Sequence, residues 1–279
     1  MKRTLFYKVL LVTILLVTLS FILPIPSNKN IDVILVPATF IFGAIYSFEI
    51  LKVIGNFSEL KKLLSILTAN LVYMYHAATI IGGDFTLAVQ EKIEKYILSS
   101  IDYSLAQHIS STDQDFLSLI DPIESLEPKN DRHRAALSSV TSGFHKVLES
   151  RYQLAEVAPR EISAGEWLMM ILLAFILVVT LFLGREAGVL SQFSAGVFAA
   201  TIVGTLLLLD EADSNQLQET RLEYEIFNQV LEDIGKLPYY PQFAIKKGVV
   251  KVSKGYSYRM GVFPKYPNLS VREIQEVNA

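Results

Sequence analysis

Cysteine is absent from all 279 residues, so neither a disulfide framework nor a thiolate metal site is open to this chain. Charge is scarce as well. Only 19% of residues are Asp, Glu, Lys or Arg while 51% are hydrophobic, which takes the chain out of the ordinary soluble class. The net charge of -3 leaves no basic excess that would attract nucleic acid, and no such partner is expected. Walker, dinucleotide-binding, zinc-protease and nucleophile-elbow patterns are all missing, so the reading is that this is not an enzyme. The four histidines, His76, His108, His133 and His145, fall on different segments with no i,i+3 or i,i+4 pairing. They read as surface or packing residues, and no metal site is expected from them.

What is abundant is long apolar runs. Residues 5–23, 33–54, 167–183 and 189–209 each approach or reach the roughly 20 residues needed to cross a bilayer. The first, preceded by Lys2 and Arg3, has the start of a signal peptide, but no small-x-small cleavage site precedes Pro24 and Pro26; retention as a helix is the expectation. Lys2, Arg3 and Lys8 lie at the N-terminal end of this pair of spans, and Lys52, Lys61 and Lys62 lie at or beyond its other end. By the positive-inside rule both termini and the middle region are then cytoplasmic, with a tight outer turn at residues 24–30 that makes the first two spans antiparallel neighbours.

The second span holds the most informative stretch, Val36-Pro37-Ala38-Thr39-Phe40-Ile41-Phe42-Gly43-Ala44-Ile45-Tyr46-Ser47-Phe48. Val36, Phe40, Ala44 and Phe48 recur at four-residue steps and so form one stripe of a helix. Pro37 removes a backbone donor, which a plain lipid anchor has no use for; it reads either as a kink that improves packing or as a feature of a pathway. Gly43 permits a neighbouring helix to come close. Glu49 sits near the end of the span, within i,i+3 reach of Lys52.

Beyond the membrane run, Leu60, Leu63, Leu64, Leu67 and Leu71 follow helical spacing; this helix reads either as capped by Ser58 or as running on continuously from the second span, with Gly82-Gly83-Asp84 as its stop. Further helices are predicted over residues 85–107 and 131–158. In the fourth span, Gly196, Ala200 and Gly204 form a small-xxx-small ladder suited to close helix packing. Asp210, Glu211 and Asp213 follow it. They read either as oxygen ligands for a hard cation or as acids opening the next helix, predicted over residues 216–235. Residues 248–252 and 256–262 read as two strands of a hairpin turning at Ser253-Lys254-Gly255.

The run from Val36 to Ile45 is similar to Ile-Pro-Leu-Ser-Phe-Val-Leu-Gly-Phe-Tyr on the second span of bestrophins, with Pro, Phe and Gly in register. The segment from Arg151 through Trp167 and the fourth span ending in Leu209-Asp210 resemble the bacterial bestrophin-like domain family. That resemblance implies an oligomeric, passive anion channel, a homopentamer with a hydrophobic neck on the second helix that gates by wetting and dewetting. Carried over, the neck positions are Val36, Phe40 and Ala44; Ala44 stands where the family has a bulky aromatic, which widens the neck there or displaces it to Phe48. Asp210, Glu211 and Asp213 are a reduced echo of the family's Ca²⁺ clasp; Ca²⁺ is therefore a weak expectation and no other cofactor is expected.

The fold expected is an all-α membrane protein with four transmembrane helices in two hairpins flanking a cytoplasmic helical bundle, plus a small C-terminal β-hairpin. Its segments are residues 1–54, 55–165, 166–209 and 210–279. The expected partners are further copies of the chain, membrane lipid and small inorganic ions. The expected place is a bacterial or archaeal plasma membrane, crossed several times. The competing reading is a non-conducting scaffold or sensor whose cytoplasmic region binds a partner.

Overall fold

The computed structural model describes residues 2–24, 32–103, 111–158, 162–213, 216–250, 252, 255–267, 269 and 271–278, the side chains of residues 2–4, 32, 216–221 and 223 excepted. The expected turn at residues 24–30, apart from Pro24, lies outside them, as do His108 and the turn residues Ser253 and Lys254. The fold is mostly helical and divides into two compact units, one formed by Met1–Gly55 with Glu161–Asn215 and the other by Asn56–Arg160 with Gln216–Ala279.

The first unit holds the apolar helices: α1 (Lys2–Ile22), the first half of α2 (Asp32–Ile81), α7 (Ala164–Leu183) and α8 (Val189–Asp213). All four are long and apolar enough to cross a membrane. Helix α1 packs chiefly along α8. The approach is set by Gly196, where a Cβ would lie 2.6 Å from the Val17 Cα, so the small-residue ladder does what its spacing predicts. Ser20 Oγ donates to the Gln192 carbonyl at 2.6 Å, adding a polar tie along the same seam. The antiparallel partner expected for α1 was α2; α8 takes that place because its glycines admit α1 closely. Helix α2 buries Ala38 and Phe42 against Ala174 and Leu177 of α7, with Ile202 and Leu206 of α8 beside them. Lower on the same helix, Ile45, Tyr46, Ile50 and Val53 surround Ile162, Met170 and Leu209.

Helix α7 begins three residues before the expected Trp167, because Ser163 and Glu166 form a capping box. Ser163 Oγ accepts from the Glu166 amide at 3.3 Å and Glu166 Oε2 accepts from the Ser163 amide at 2.7 Å. At the other end of α7, Arg185 is buried and donates to the carbonyls of Phe182, Leu23 and Pro24. It thus caps the electron-rich ends of both α7 and α1 with a cation. The segment 184–186 is therefore more than the simple turn its composition implies.

The second unit begins within α2, which does not pause at residue 54. Ser58 lies inside the helix and caps nothing; the helix stops at Gly82, whose φ of 77° favours glycine. Leu60, Leu63, Leu64, Leu67, Leu71 and Met74 form the core with Ile93, Tyr96, Ile97 and Ile101 of α3 (Gly83–Asp102). Short helices α4 (Asp113–Leu117) and α5 (Asp121–Glu124), joined by a 3-10 turn, supply Phe116 and Leu119. Helix α6 (Asp131–Val157) matches the predicted range closely and is capped by Asn130, which accepts from the His133 amide at 2.8 Å. Helix α9 (Gln216–Asp233) adds Tyr224, Phe227, Val230 and Leu231 to the core.

A three-stranded sheet and the five-residue helix α10 (Gln242–Lys246) complete this unit. Strand β2 (Ser257–Val262) pairs in parallel with β1 (Tyr239–Pro241) and antiparallel with β3 (Glu273–Asn278). The predicted strand at residues 256–262 is there, but its antiparallel partner follows it in sequence. Gly248, Val249 and Val250 lie in the turn after α10, where Gly248 has a φ of 70°, and do not extend as a strand.

Candidate functional site

The predicted stripe of α2 comes out as the face this helix leaves uncovered. Val36, Phe40 and Phe48 are 68%, 77% and 66% exposed, and Ala44 is exposed between them. The opposite face carries the buried Ala38 and Phe42, and Phe42 stacks on Tyr46 with ring centroids 6.2 Å apart. Phenylalanine side chains therefore separate by register: Phe42 is core and Phe40 and Phe48 point away from it. Pro37 lies inside the helix on the exposed side, and α2 continues through it without a break. Gly43 also lies on the open side. A Cβ there would meet nothing within 4 Å, so among the described residues no other helix uses the close approach that Gly43 permits.

Glu49 belongs to the packed side and is 3% exposed. Lys52 Nζ lies 3.6 Å from Glu49 Oε2 and 3.0 Å from Glu166 Oε1, so one lysine joins α2 to the start of α7. The i,i+3 pair is present, but it faces inward and not onto the stripe.

Asp210, Glu211 and Asp213 occupy the last turn of α8 and do not open α9, a placement that corrects the helix-opening reading. Acids at a helix C-terminus gain nothing from the dipole, and Asp213 serves other contacts. Asp213 accepts from the Ile162 amide at 3.1 Å and from Trp167 Nε1 at 3.2 Å, which ties the end of α8 to the entry of α7. Trp167 thus has a specific partner besides its place at the end of an apolar run. Among the described residues no group of three or more His, Asp or Glu is arranged to hold a metal ion.

The second unit contains ionic clusters that no sequence pattern marked. Asp102 Oδ1 accepts from Tyr239 Oη and Asp102 Oδ2 from Arg272 Nη1, both at 2.7 Å. Burial pushes the Asp102 carboxyl up to about 6, more than Arg272 and Tyr239 can offset. Burial and the neighbouring carboxylate push the Tyr239 hydroxyl strongly up. Asn228 completes the cluster with two hydrogen bonds to the Tyr239 backbone, at 2.6 and 3.1 Å. Glu94 pairs with Lys236 at 2.8 Å and with Arg259. Burial raises its carboxyl, but the two cations outweigh this and hold it below the ordinary range. Arg151, buried beside Phe116, bonds Asp113 at 2.9 Å. These partners are far apart in sequence, and no local spacing carries their signal.

Four apolar helices, a mostly apolar uncovered face and ion pairs near the helix ends define a helical integral membrane protein. A family model described as Bestrophin-like domain matches residues 4–214, and the chain belongs to that family. A solved crystal structure described only as that of a membrane protein shares the fold with a TM-score of 0.61. It is 12% identical, over 84% of this chain and 98% of that chain. No curated protein matches the chain significantly.

Proposed function

We propose that the protein is an oligomeric ion channel that conducts small anions passively, with α2 lining the pathway. The observation that carries this reading is the uncovered face of α2. Val36, Phe40, Ala44 and Phe48 lie open together with Gly43 and Ser47, while the other side of the helix is packed on α7 and α8. Leu and Ile dominate faces that merely meet lipid; small residues left open in mid-membrane favour contact with another helix. A ring of copies, five in the family's plan, would bring these faces to a common axis and form a hydrophobic neck at Phe40. Ala44 widens the passage one turn further on, and the bulk returns at Phe48.

Such a neck passes ions only when wetted, so its residues set a barrier and not a binding site. Asp210, Glu211 and Asp213 are the carboxylates that would form a calcium-responsive element, and the engagement of Asp213 with Trp167 and Ile162 weighs against it. No catalytic step enters this mechanism. The test is flux: protein in liposomes should pass chloride or iodide, and Phe40→Ala should raise that flux by removing the widest obstacle. If neither wild type nor Phe40→Ala passes either anion, the channel reading fails and the scaffold reading replaces it.

A further inference from the structure

An ionisable residue within a membrane span is costly and marks a function by default. Residues 33–55 hold one acid, Glu49, and one cation, Lys52. At about 100° per residue, and taking Val36 as zero, Phe40, Ala44 and Phe48 lie at about 40°, 80° and 120°. Ala38, Glu49 and Phe42 lie at about 200°, 220° and 240°, so the carboxylate sits in the middle of the packed face, nearly opposite the stripe. Glu49 Oε2 is buried with no hydrogen-bond partner among the described residues, and the cation it faces is Lys52 Nζ, 3.6 Å away. Lys52 is itself held from α7, where both Glu166 oxygens accept from Nζ, at 3.0 and 3.1 Å.

We infer that Glu49 and Lys52 are positioning residues that fix the rotation of the membrane half of α2 about its own axis, and so keep Phe40, Ala44 and Phe48 on the open face. This rests on the reading of that face as the lining of the pathway. Hydrophobic contact is non-directional, so the seam of Ile45, Tyr46, Ile50 and Val53 on Ile162, Met170 and Leu209 does not by itself select one rotation. The ion pair does. With Lys52 beside it the carboxylate is tolerated within the packed face, and without Lys52 it becomes an unpaired buried charge. Turning α2 relieves that charge by carrying Glu49 toward the open side, and the shorter turn carries Ile45, at about 180°, the same way. Removing both charges removes the reason to turn.

The experiment reads rotation from disulfide cross-linking of single cysteines between copies of the full chain, on mild oxidation in membranes. With Glu49 and Lys52 intact, Ala44→Cys should cross-link and Ile45→Cys only weakly. Lys52→Gln should lower the Ala44→Cys yield several-fold and raise the Ile45→Cys yield several-fold. Adding Glu49→Gln to Lys52→Gln should restore both yields, a rescue that general damage to the fold would not show. Glu166→Gln leaves Lys52 to pair with Glu49 and keeps the capping box, which Gln also satisfies, so both yields should stay near those of the intact pair. Four outcomes overturn the inference: an unchanged pattern in Lys52→Gln, a loss at both positions in that variant, no restoration by Glu49→Gln, or an equal shift in Glu166→Gln. If Ala44→Cys fails to cross-link while Glu49 and Lys52 are intact, the reading of the α2 face as the pathway lining fails instead.

Discussion

Arg272 meets Asp102 across 170 positions of sequence, and that single contact shows how strongly side-chain chemistry here depends on the fold. The Asp102 carboxyl is held at about 6, above its ordinary 3.8, because burial penalises the charged form. Its contribution to stability is therefore fully present below about pH 3.8 and is lost as pH rises through about 6. Above that range Arg272 is what keeps a buried carboxylate tolerable. Arg272→Gln should cost about 3 kcal/mol at pH 7.5, as expected when one partner of a largely buried pair is removed, and clearly less at pH 5, where Asp102 is protonated. Chemical unfolding of the two proteins at both pH values measures this; an equal loss at pH 5 and 7.5 would contradict it. None of this cluster was legible beforehand, because Asp102, Tyr239 and Arg272 sit in unrelated local patterns. Val36, Phe40, Ala44 and Phe48 were legible, because their relation is local: four-residue spacing on one helix fixes a shared face before any packing occurs.

At the scale of elements, the helices follow their sequence signals wherever those signals are chemical stops. Gly82 ends α2, Asn130 starts α6, and Ser163 with Glu166 starts α7. Ends stayed open between two readings where composition changed without such a stop. At residue 54 the apolar run fades, but nothing breaks the helix, and α2 continues into the second unit. Pairing was harder to read than extent. The strand at Ser257–Val262 was visible from its alternation, whereas its partner Glu273–Asn278 is polar and exposed and carries little pattern of its own. The glycine ladder of α8 announced close packing without naming the helix that would use it. Its two glycines differ sharply. A Cβ at Gly196 would lie 2.6 Å from backbone Val17 Cα, while one at Gly204 would make an ordinary 3.7 Å contact with Val9 Cγ1. Gly196→Ala should therefore destabilise by about 1–3 kcal/mol through overpacking. Gly204→Ala should be neutral or stabilising by up to about 1 kcal/mol, since Ala is the better helix former. Thermal midpoints in detergent rank the two, and equal midpoints would mean that α1 does not approach α8 as described.

For the whole molecule, the open face of α2 is a statement about copies. The natural absence of cysteine makes this directly testable, because a single introduced thiol has only its counterpart in another copy to react with. Ala44→Cys should form disulfide-linked dimers on mild oxidation in membranes, with Phe175→Cys, exposed on α7, giving few or none. Native mass of the solubilised particle gives the number of copies; a dimer would exclude an axial pore of the proposed kind. The sequence by itself determined the membrane class, the four apolar helices, the helical second unit and the stripe on α2. Those follow from composition, run length and periodicity, which are properties of neighbouring residues. Only the tertiary structure decided that α1 lies against α8, that Phe42 is core while Phe40 is open, that Asp213 is tied to Trp167, and that Arg272 holds Asp102. Each of these depends on which faces meet, and that is settled by steric fit and charge pairing between segments far apart in the chain.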